Sequence, residues 1–396
     1  MKNSTRCVQL EKGDPFGAIS PPIYQTATFR QPNSTDFGIY DYTRTTNPTR
    51  AQLERKIAKL EFGRYCSAFT SGMAAITAVM RLLESGDEVI ASDDLYGGSI
   101  RLLEQVLPRQ GITVRYADTT NLSELIMAFS PQTKLILLET PTNPFLRVSD
   151  ILELSQIAHG RGALLAVDNT MLSPCLQLPL EHGADLVIHS ATKFLCGHSD
   201  VMAGAVITNA PEIHEQIAFI QNAEGAGLSP FDSWLLLRGL KTLALRVERQ
   251  TESARVVAEY LADRAGVTKV YYPGIGLDPV SDARHNRQAS GGGSVVTFTT
   301  GDPSLSKRIV EHTELCSIAV SFGSVHSTIS LPFHMSHSSI PPELRDRLSP
   351  PSDLVRLSVG IEDVDDIIED LEIAFDHALT SSVQQRSAAN SGEFPG

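Results

Sequence analysis

Asp185-Leu186-Val187-Ile188-His189-Ser190-Ala191-Thr192-Lys193-Phe194 is the stretch on which the reading of this chain turns. The run Leu186-Val187-Ile188 is short, wholly apolar and flanked by polar residues, the pattern of a parallel strand buried on both faces. Its carboxyl end delivers Ser190, Thr192 and Lys193 into the crevice where open α/β sheets bind ligands. A lysine held there is partly desolvated, and desolvation lowers its pKa toward the neutral, nucleophilic amine. Taken alone, Lys193 reads better as a strand-end lysine whose head reaches water; what the rest of the chain places beside it decides otherwise.

Working outward, short β-type runs at 88–91, 113–117, 135–139, 163–167, 185–189 and 203–208 alternate with helical stretches. This alternation predicts a mostly parallel sheet covered by helices on both faces. At 396 residues the chain exceeds the size at which single cores stop growing, so a large domain with a smaller companion is expected. Residues 1–60, broken by Pro21-Pro22, Asn33-Ser34 and Asn47-Pro48, read as an extended arm able to reach a neighbouring subunit. Residues 61–250 form the expected large domain and 251–380 a smaller α/β domain, with 232–264 as one long helical stretch between them. The Ser/Gln/Asn/Gly-rich residues 381–396 read as a disordered tail.

Composition narrows the function classes. A hydrophobic share of 42%, with no apolar run of membrane-spanning length, excludes a membrane protein. The net charge of -13 argues against a nucleic-acid surface, which needs clustered Lys and Arg. Cys7, Cys66, Cys175, Cys196 and Cys316 are scattered and odd in number, so neither a disulfide framework nor a metal site is expected, and the compartment is read as reducing. The first residues, Met1 to Arg6, carry no apolar or Arg/Ser-rich leader, which makes the cytoplasm the expected location.

A second polar cluster, Val167-Asp168-Asn169-Thr170, leaves another buried strand at the same edge. A buried carboxylate is costly unless a cation pairs with it. A pyridinium nitrogen is such a cation, and a Schiff-base lysine combined with an aspartate on the ring nitrogen is what pyridoxal phosphate chemistry requires. Asp168 alone reads slightly better as a cap on the next segment; with Lys193 one strand later the cofactor reading moves ahead. Ser71-Gly72-Met73 opens an apolar helix whose free N–H groups attract anions, making Gly72 and Met73 candidate phosphate donors, although a plain Ser71 N-cap fits as well. Ser190 and Thr192 flank the lysine with hydroxyls, and Tyr42 and Arg44 of the arm add a phenol and a guanidinium suited to phosphate oxygens. Tyr96 follows a strand, where its ring can stack on a flat cofactor and its hydroxyl can trade protons. Asn143 is a two-ended hydrogen-bonding group for a phenolate oxygen or a carboxylate. Arg356, alone in the apolar Leu354-Val355-Arg356-Leu357-Ser358-Val359, demands an anion, and an amino-acid carboxylate fits it bidentately.

Four motifs in this order, Tyr42-Thr43-Arg44-Thr45-Thr46-Asn47-Pro48-Thr49, Thr70-Ser71-Gly72-Met73-Ala74-Ala75, Glu139-Thr140-Pro141-Thr142-Asn143-Pro144 and Ser190-Ala191-Thr192-Lys193-Phe194, carry a resemblance. Over nearly its whole length the chain resembles the cystathionine γ-synthase-like (Cys/Met metabolism) family of pyridoxal phosphate enzymes. Lys193-Phe194-Leu195-Cys196-Gly197-His198-Ser199-Asp200 and Ala319-Val320-Ser321-Phe322-Gly323-Ser324 make it most similar to the cystathionine β-lyases within that family.

The resemblance implies a PLP-dependent transferase-like fold of type I and a homotetramer in which Tyr42 and Arg44 bind the phosphate of the adjacent subunit's cofactor. It further implies Lys193 as the Schiff-base lysine, Asp168 at the ring nitrogen, Tyr96 on the ring, and Gly72, Met73, Ser190 and Thr192 on the phosphate. Asn143, Ser321 and Arg356 are implied at the substrate carboxylate, and His326 at the distal end of a small sulfur amino acid. The leading expectation is a carbon-sulfur β-lyase. The alternatives are a γ-specific relative, a cysteine or cystine desulfhydrase, and a non-catalytic PLP-binding protein.

Overall fold

A computed structural model describes residues 1–9, 16–275, 278–338, 340 and 344–391. Seven strands make the larger sheet: β1 (Tyr65–Phe69), β2 (Glu88–Ser92), β3 (Thr113–Ala117), β4 (Thr133–Glu139), β5 (Leu164–Asp168), β6 (Leu186–His189) and β7 (Gly204–Thr208). Their spatial order is β1-β7-β6-β5-β4-β2-β3. The five strands from β6 to β3 run parallel, and β7 is antiparallel to both of its neighbours. β6 is buried along its length, as an inner strand clothed on both faces must be. The pairing Asp168↔Ile188 sets the ends of β5 and β6 side by side, so their two polar clusters emerge at one edge.

β1 is missing from the sequence reading. Its Tyr-Cys-Ser-Ala-Phe is dominated by small residues and lacks the β-branched run that flags a strand. It becomes a strand by pairing with β7 from Tyr65↔Thr208 to Phe69↔Gly204.

The smaller sheet holds β8 (Lys269–Tyr271), β9 (Val295–Thr299), β10 (Ser317–Ile318), β11 (Thr328–Ser330) and β12 (Leu354–Ser358) in the order β10-β11-β12-β9-β8. β12 lies between β11 and β9, which explains why Arg356 is only 2% exposed.

The stretch expected as one long helix is two, Pro230–Leu240 and Leu243–Ala262. Arg246 turns inward and occupies the break, donating to Gly239 O (3.0 Å), Thr242 Oγ1 (3.0 Å) and Phe194 O (2.9 Å). Buried carbonyls at a chain reversal need such a donor. The same side chain therefore braces the peptide next to Lys193. Within the second helix, Leu243 and Val247 belong to the core under the large sheet, whereas Ala254, Val257, Ala258 and Leu261 belong to the core of the small one. One rigid rod thus crosses the expected junction at 250/251.

The arm also differs from a wholly extended segment. Helices Asn3–Val8 and Pro48–Leu60 bracket it. Asn47-Pro48, expected to break helices, starts one: the Asn47 side chain accepts from Thr49 N and Arg50 N, and proline suits the first helical position because its missing N–H is not needed there. The last helix runs from Val364 to Ser391, beyond the point where disorder was expected, since no glycine or proline interrupts it. Residues 392–396 lie outside the described residues. Among the described residues no helix is long and apolar enough to cross a membrane.

Candidate active site

Lys193 leaves the turn after β6, its backbone N–H donating to Ser190 O (3.1 Å). Its Nζ donates to Ser321 Oγ at 2.5 Å and stands 4.8 Å from the centre of the Phe322 ring. Burial, then repulsion from Arg356, pulls the ammonium down to about 8, with Asp168 pulling weakly the other way. A lysine near 8 keeps a useful fraction of free amine at neutral pH.

Asp168 ends β5, and its Oδ1 accepts from Thr170 N (2.9 Å) and Thr170 Oγ1 (2.5 Å). Thr170 Oγ1 in turn accepts the Ser190 N–H at 2.8 Å, which ties the Asp168 turn to the Lys193 turn. Burial pushes the Asp168 carboxyl up, while the Thr170 contacts, His189 and Lys193 pull it down. Behind both strand ends, His189 Nε2 lies 2.5 Å from Glu61 Oε1, which also accepts from Asn169 Nδ2 (2.9 Å). That buried pair anchors β5 and β6 to the end of helix Pro48–Leu60.

Ser71 caps helix Gly72–Met80 through Ala74 N, leaving the first-turn amides of Gly72 and Met73 outside the cap. A Cβ at Gly72 would stand 2.7 Å from Ser190 Cβ and 2.9 Å from its Oγ. Glycine is required there for the helix start to reach the Ser190 turn, and the result is a cradle of backbone amides and a hydroxyl of the kind phosphate occupies. Thr192 Oγ1 is engaged with the backbone of Ala203, accepting from its N–H at 3.0 Å.

Arg356 forms the opposite wall. Its two terminal nitrogens donate to Asn143 Oδ1 (2.9 Å) and Ser321 O (3.1 Å), and its guanidinium lies 5.3 Å from the Phe322 ring centre. Ser321 thus touches both cations, through its hydroxyl to Lys193 and its carbonyl to Arg356. Its φ of 86° lies in the left-handed region disfavoured for residues with a side chain, so backbone strain is held at the meeting point of the two walls. Burial lowers Arg356 to about 10 despite Glu139 and Tyr96 nearby. Glu139, at the end of β4, is pushed well up by burial and then by Asp168, and its Oε2 accepts the Tyr96 N–H at 3.2 Å.

Tyr96 is 41% exposed at the start of helix Gly97–Gln105, its ring lying over Gly98. Not every expected residue joins this cluster. His326 is exposed, with Nδ1 3.3 Å from Ser324 Oγ. Arg44 donates to Asn222 O (2.8 Å) and stacks over Tyr42 at 5.5 Å, and neither touches Lys193 among the described residues. Arg50 fixes the backbone of this arm loop by donating to the carbonyls of Thr43, Arg44, Thr45 and Leu228. Cys196 is buried filler that also donates its S–H to Asp200 Oδ1.

Sequence reasoning missed Thr170, Glu139, Phe322, the Glu61–His189 pair and His337. Thr170 had a signal, its position two residues after Asp168, where a hydroxyl and amide commonly serve a turn carboxylate. The others are brought in by tertiary contacts alone.

The residues present fit pyridoxal 5'-phosphate: a depressed lysine, the half-buried Asp168 carboxylate, which among the described residues lacks a cationic partner in hydrogen-bonding range, and the cradle at Gly72. Comparison with known proteins agrees. The model of the Cys/Met metabolism PLP-dependent enzyme family matches residues 4–376. Cystathionine beta-lyase, chloroplastic, of Arabidopsis thaliana is 55% identical over 94% of this chain and 80% of its own length. Cystathionine gamma-lyase of Bacillus subtilis is 45% identical over 91% of this chain and 95% of its own. The crystal structure of cystathionine gamma synthase from Xanthomonas oryzae in complex with cystathionine superposes with a TM-score of 0.93 at 38% identity, covering 96% of this chain and 99% of that one. The family match over most of the chain and relatives at 45% and 55% identity place this chain in the Cys/Met metabolism family of PLP-dependent enzymes, with the type I fold.

Proposed function

We propose that this chain is a cystathionine β-lyase, splitting cystathionine and water into homocysteine, pyruvate and ammonia. The observation that carries the reading is the pairing of Lys193 Nζ with Ser321 Oγ at 2.5 Å, while Ser321 O holds Arg356. A proton-transfer amine and a carboxylate-binding guanidinium are thereby fixed to one residue, as removal of an α-proton from a bound amino acid needs. Bound pyridoxal phosphate supplies the electron sink at the α-carbon. Arg356 and Asn143 orient the carboxylate, Lys193 Nζ takes the α-proton, Asp168 keeps the ring nitrogen charged, and Tyr96 covers the ring. Gly72, Met73, Ser190 and Thr192 take the phosphate, and His326 faces the distal end of the substrate.

Incubating the PLP-loaded protein with cystathionine is expected to release pyruvate and homocysteine in equal amounts. Release of 2-oxobutyrate and cysteine would make it a γ-lyase instead. Sulfide from cysteine with no turnover of cystathionine would make it a desulfhydrase.

The proposal includes a homotetramer in which the 1–60 arm delivers Tyr42 and Arg44 to a neighbour's phosphate. The turned-away position of Arg44 in the single chain supports it. Co-expressed Arg44→Ala and Lys193→Ala chains are then expected to regain activity that neither has alone, because hybrids assemble one complete site from two chains. Absence of any recovery counts against delivery in trans.

A further inference from the structure

We propose that His337 is a positioning residue that fastens the Tyr96 loop to the Asn143 loop and so holds Arg356 in its carboxylate-binding pose. His337 follows β11 of the small sheet but lies among the loops of the large one, only 2% exposed. Its Nε2 is 3.2 Å from Leu95 O and 3.3 Å from Asn143 O. Both partners are carbonyls, which only accept, so Nε2 carries the proton and makes a three-centre donation. Its Nδ1 is 2.9 Å from Ser336 Oγ, whose hydroxyl donates and fixes that tautomer.

Each acceptor adjoins a working part. Leu95 precedes Tyr96, and Asn143 supplies the Oδ1 that receives an Arg356 N–H at 2.9 Å. A third point of attachment is steric: a Cβ at Gly97 would stand 2.4 Å from Ser336 O, so the His337 turn sits flush on the start of the helix after Tyr96. The turn is itself hydrogen-bonded, with His337 N donating to Pro332 O (2.9 Å) and Ile340 N to His337 O (3.2 Å). Burial and the nearby Arg356 charge hold the ring down at about 4, so it remains a neutral donor at physiological pH.

The inference rests on the assignment of Asn143 and Arg356 to the substrate carboxylate, and the test separates the two. Steady-state kinetics with cystathionine would be measured on the PLP-loaded His337→Leu, His337→Gln, Ser336→Ala and Arg356→Leu proteins. His337→Leu is expected to raise KM about tenfold or more, a small angular error in a positioning group being enough for that. His337→Gln, whose amide nitrogen reproduces the Nε2 donor, restores KM to within about threefold of the parent. A merely structural role would lower the melting temperature and the yield while leaving KM of the folded fraction unchanged, and that result overturns the proposal. So does a His337→Gln protein as impaired as His337→Leu. If His337→Leu gives no folded protein, Ser336→Ala carries the same readout, a raised KM supporting and an unchanged KM refuting it. An unchanged KM in Arg356→Leu would instead sink the carboxylate assignment, whereas a raised KM there with a normal one at position 337 would sink the positioning role alone.

Discussion

Lys193→Ala is expected to lose both the visible absorption of bound cofactor and turnover, with kcat falling by about 10⁴-fold or more. General-base catalysis alone is worth about 10²–10⁴, and in the proposed site this lysine would also be the covalent anchor. The side chain is half-buried, donates to Ser321 Oγ at 2.5 Å, and is lowered to about 8 by desolvation and Arg356. Among the described residues no other amine replaces it beside Ser321: Arg356 is the adjoining cation, and a guanidinium cannot give up its proton at working pH. Truncation to alanine should spare the fold, because the Ser190 and Ala203 backbone contacts that shape the turn do not use the lysine head. A variant retaining the absorption band and full turnover would remove Lys193 from the mechanism.

Asp168→Asn is expected to produce opposite changes in two measurements. Activity and cofactor affinity fall, kcat on the order of 10²-fold, the usual size for removing one preorganised electrostatic contact. The cofactor-free protein, by contrast, melts at a higher temperature. The carboxyl is raised by burial, so ionising it opposes folding. The sign follows from linkage. A carboxyl whose folded pKa lies above its unfolded value, about 3.9 for Asp, imposes no cost below that value. The cost grows as pH rises through the elevated folded pKa and is complete above it. The difference in melting temperature between Asp168→Asn and the parent should therefore be largest at neutral pH and shrink on acidification. Glu139 shares the site and is raised in part by Asp168, so its own burden lightens in the same variant. A variant with lower activity and an unchanged or lower melting temperature at every pH would refute this account.

The juxtaposition of these two residues is one of the features legible in the sequence. Apolar runs of four or five residues with polar ends identified the inner strands, and the register Asp168↔Ile188 then made both clusters neighbours, as parallel strands in a common sheet must. Boundaries shifted by one or two residues, but the edge at which Asp168 and Lys193 emerge did not. β1 was invisible because Ser67 and Ala68 carry little β preference and acquire their conformation from β7. The split of 232–264 was invisible for a different reason. Nothing between Leu240 and Leu243 breaks a helix locally, and the break is held by Arg246, which donates to Gly239 O and ties it to Phe194 O, 52 residues away.

The sequence by itself determined the parts: a strand-end lysine, a strand-end aspartate, a glycine at a helix start, one arginine on an apolar strand, and an arm with a phenol and a guanidinium. Each is a local pattern, set by hydrophobic periodicity and turn chemistry over a few residues. Only the tertiary structure decided how they are joined. Ser321 bridges Lys193 to Arg356, and Thr170 bridges Asp168 to Ser190. Glu61 backs His189 from 128 residues away, and His337 crosses from the small sheet to the loops of Tyr96 and Asn143. These contacts join positions that no window of sequence spans, and they depend on burial, which raises the energetic weight of every polar contact it encloses.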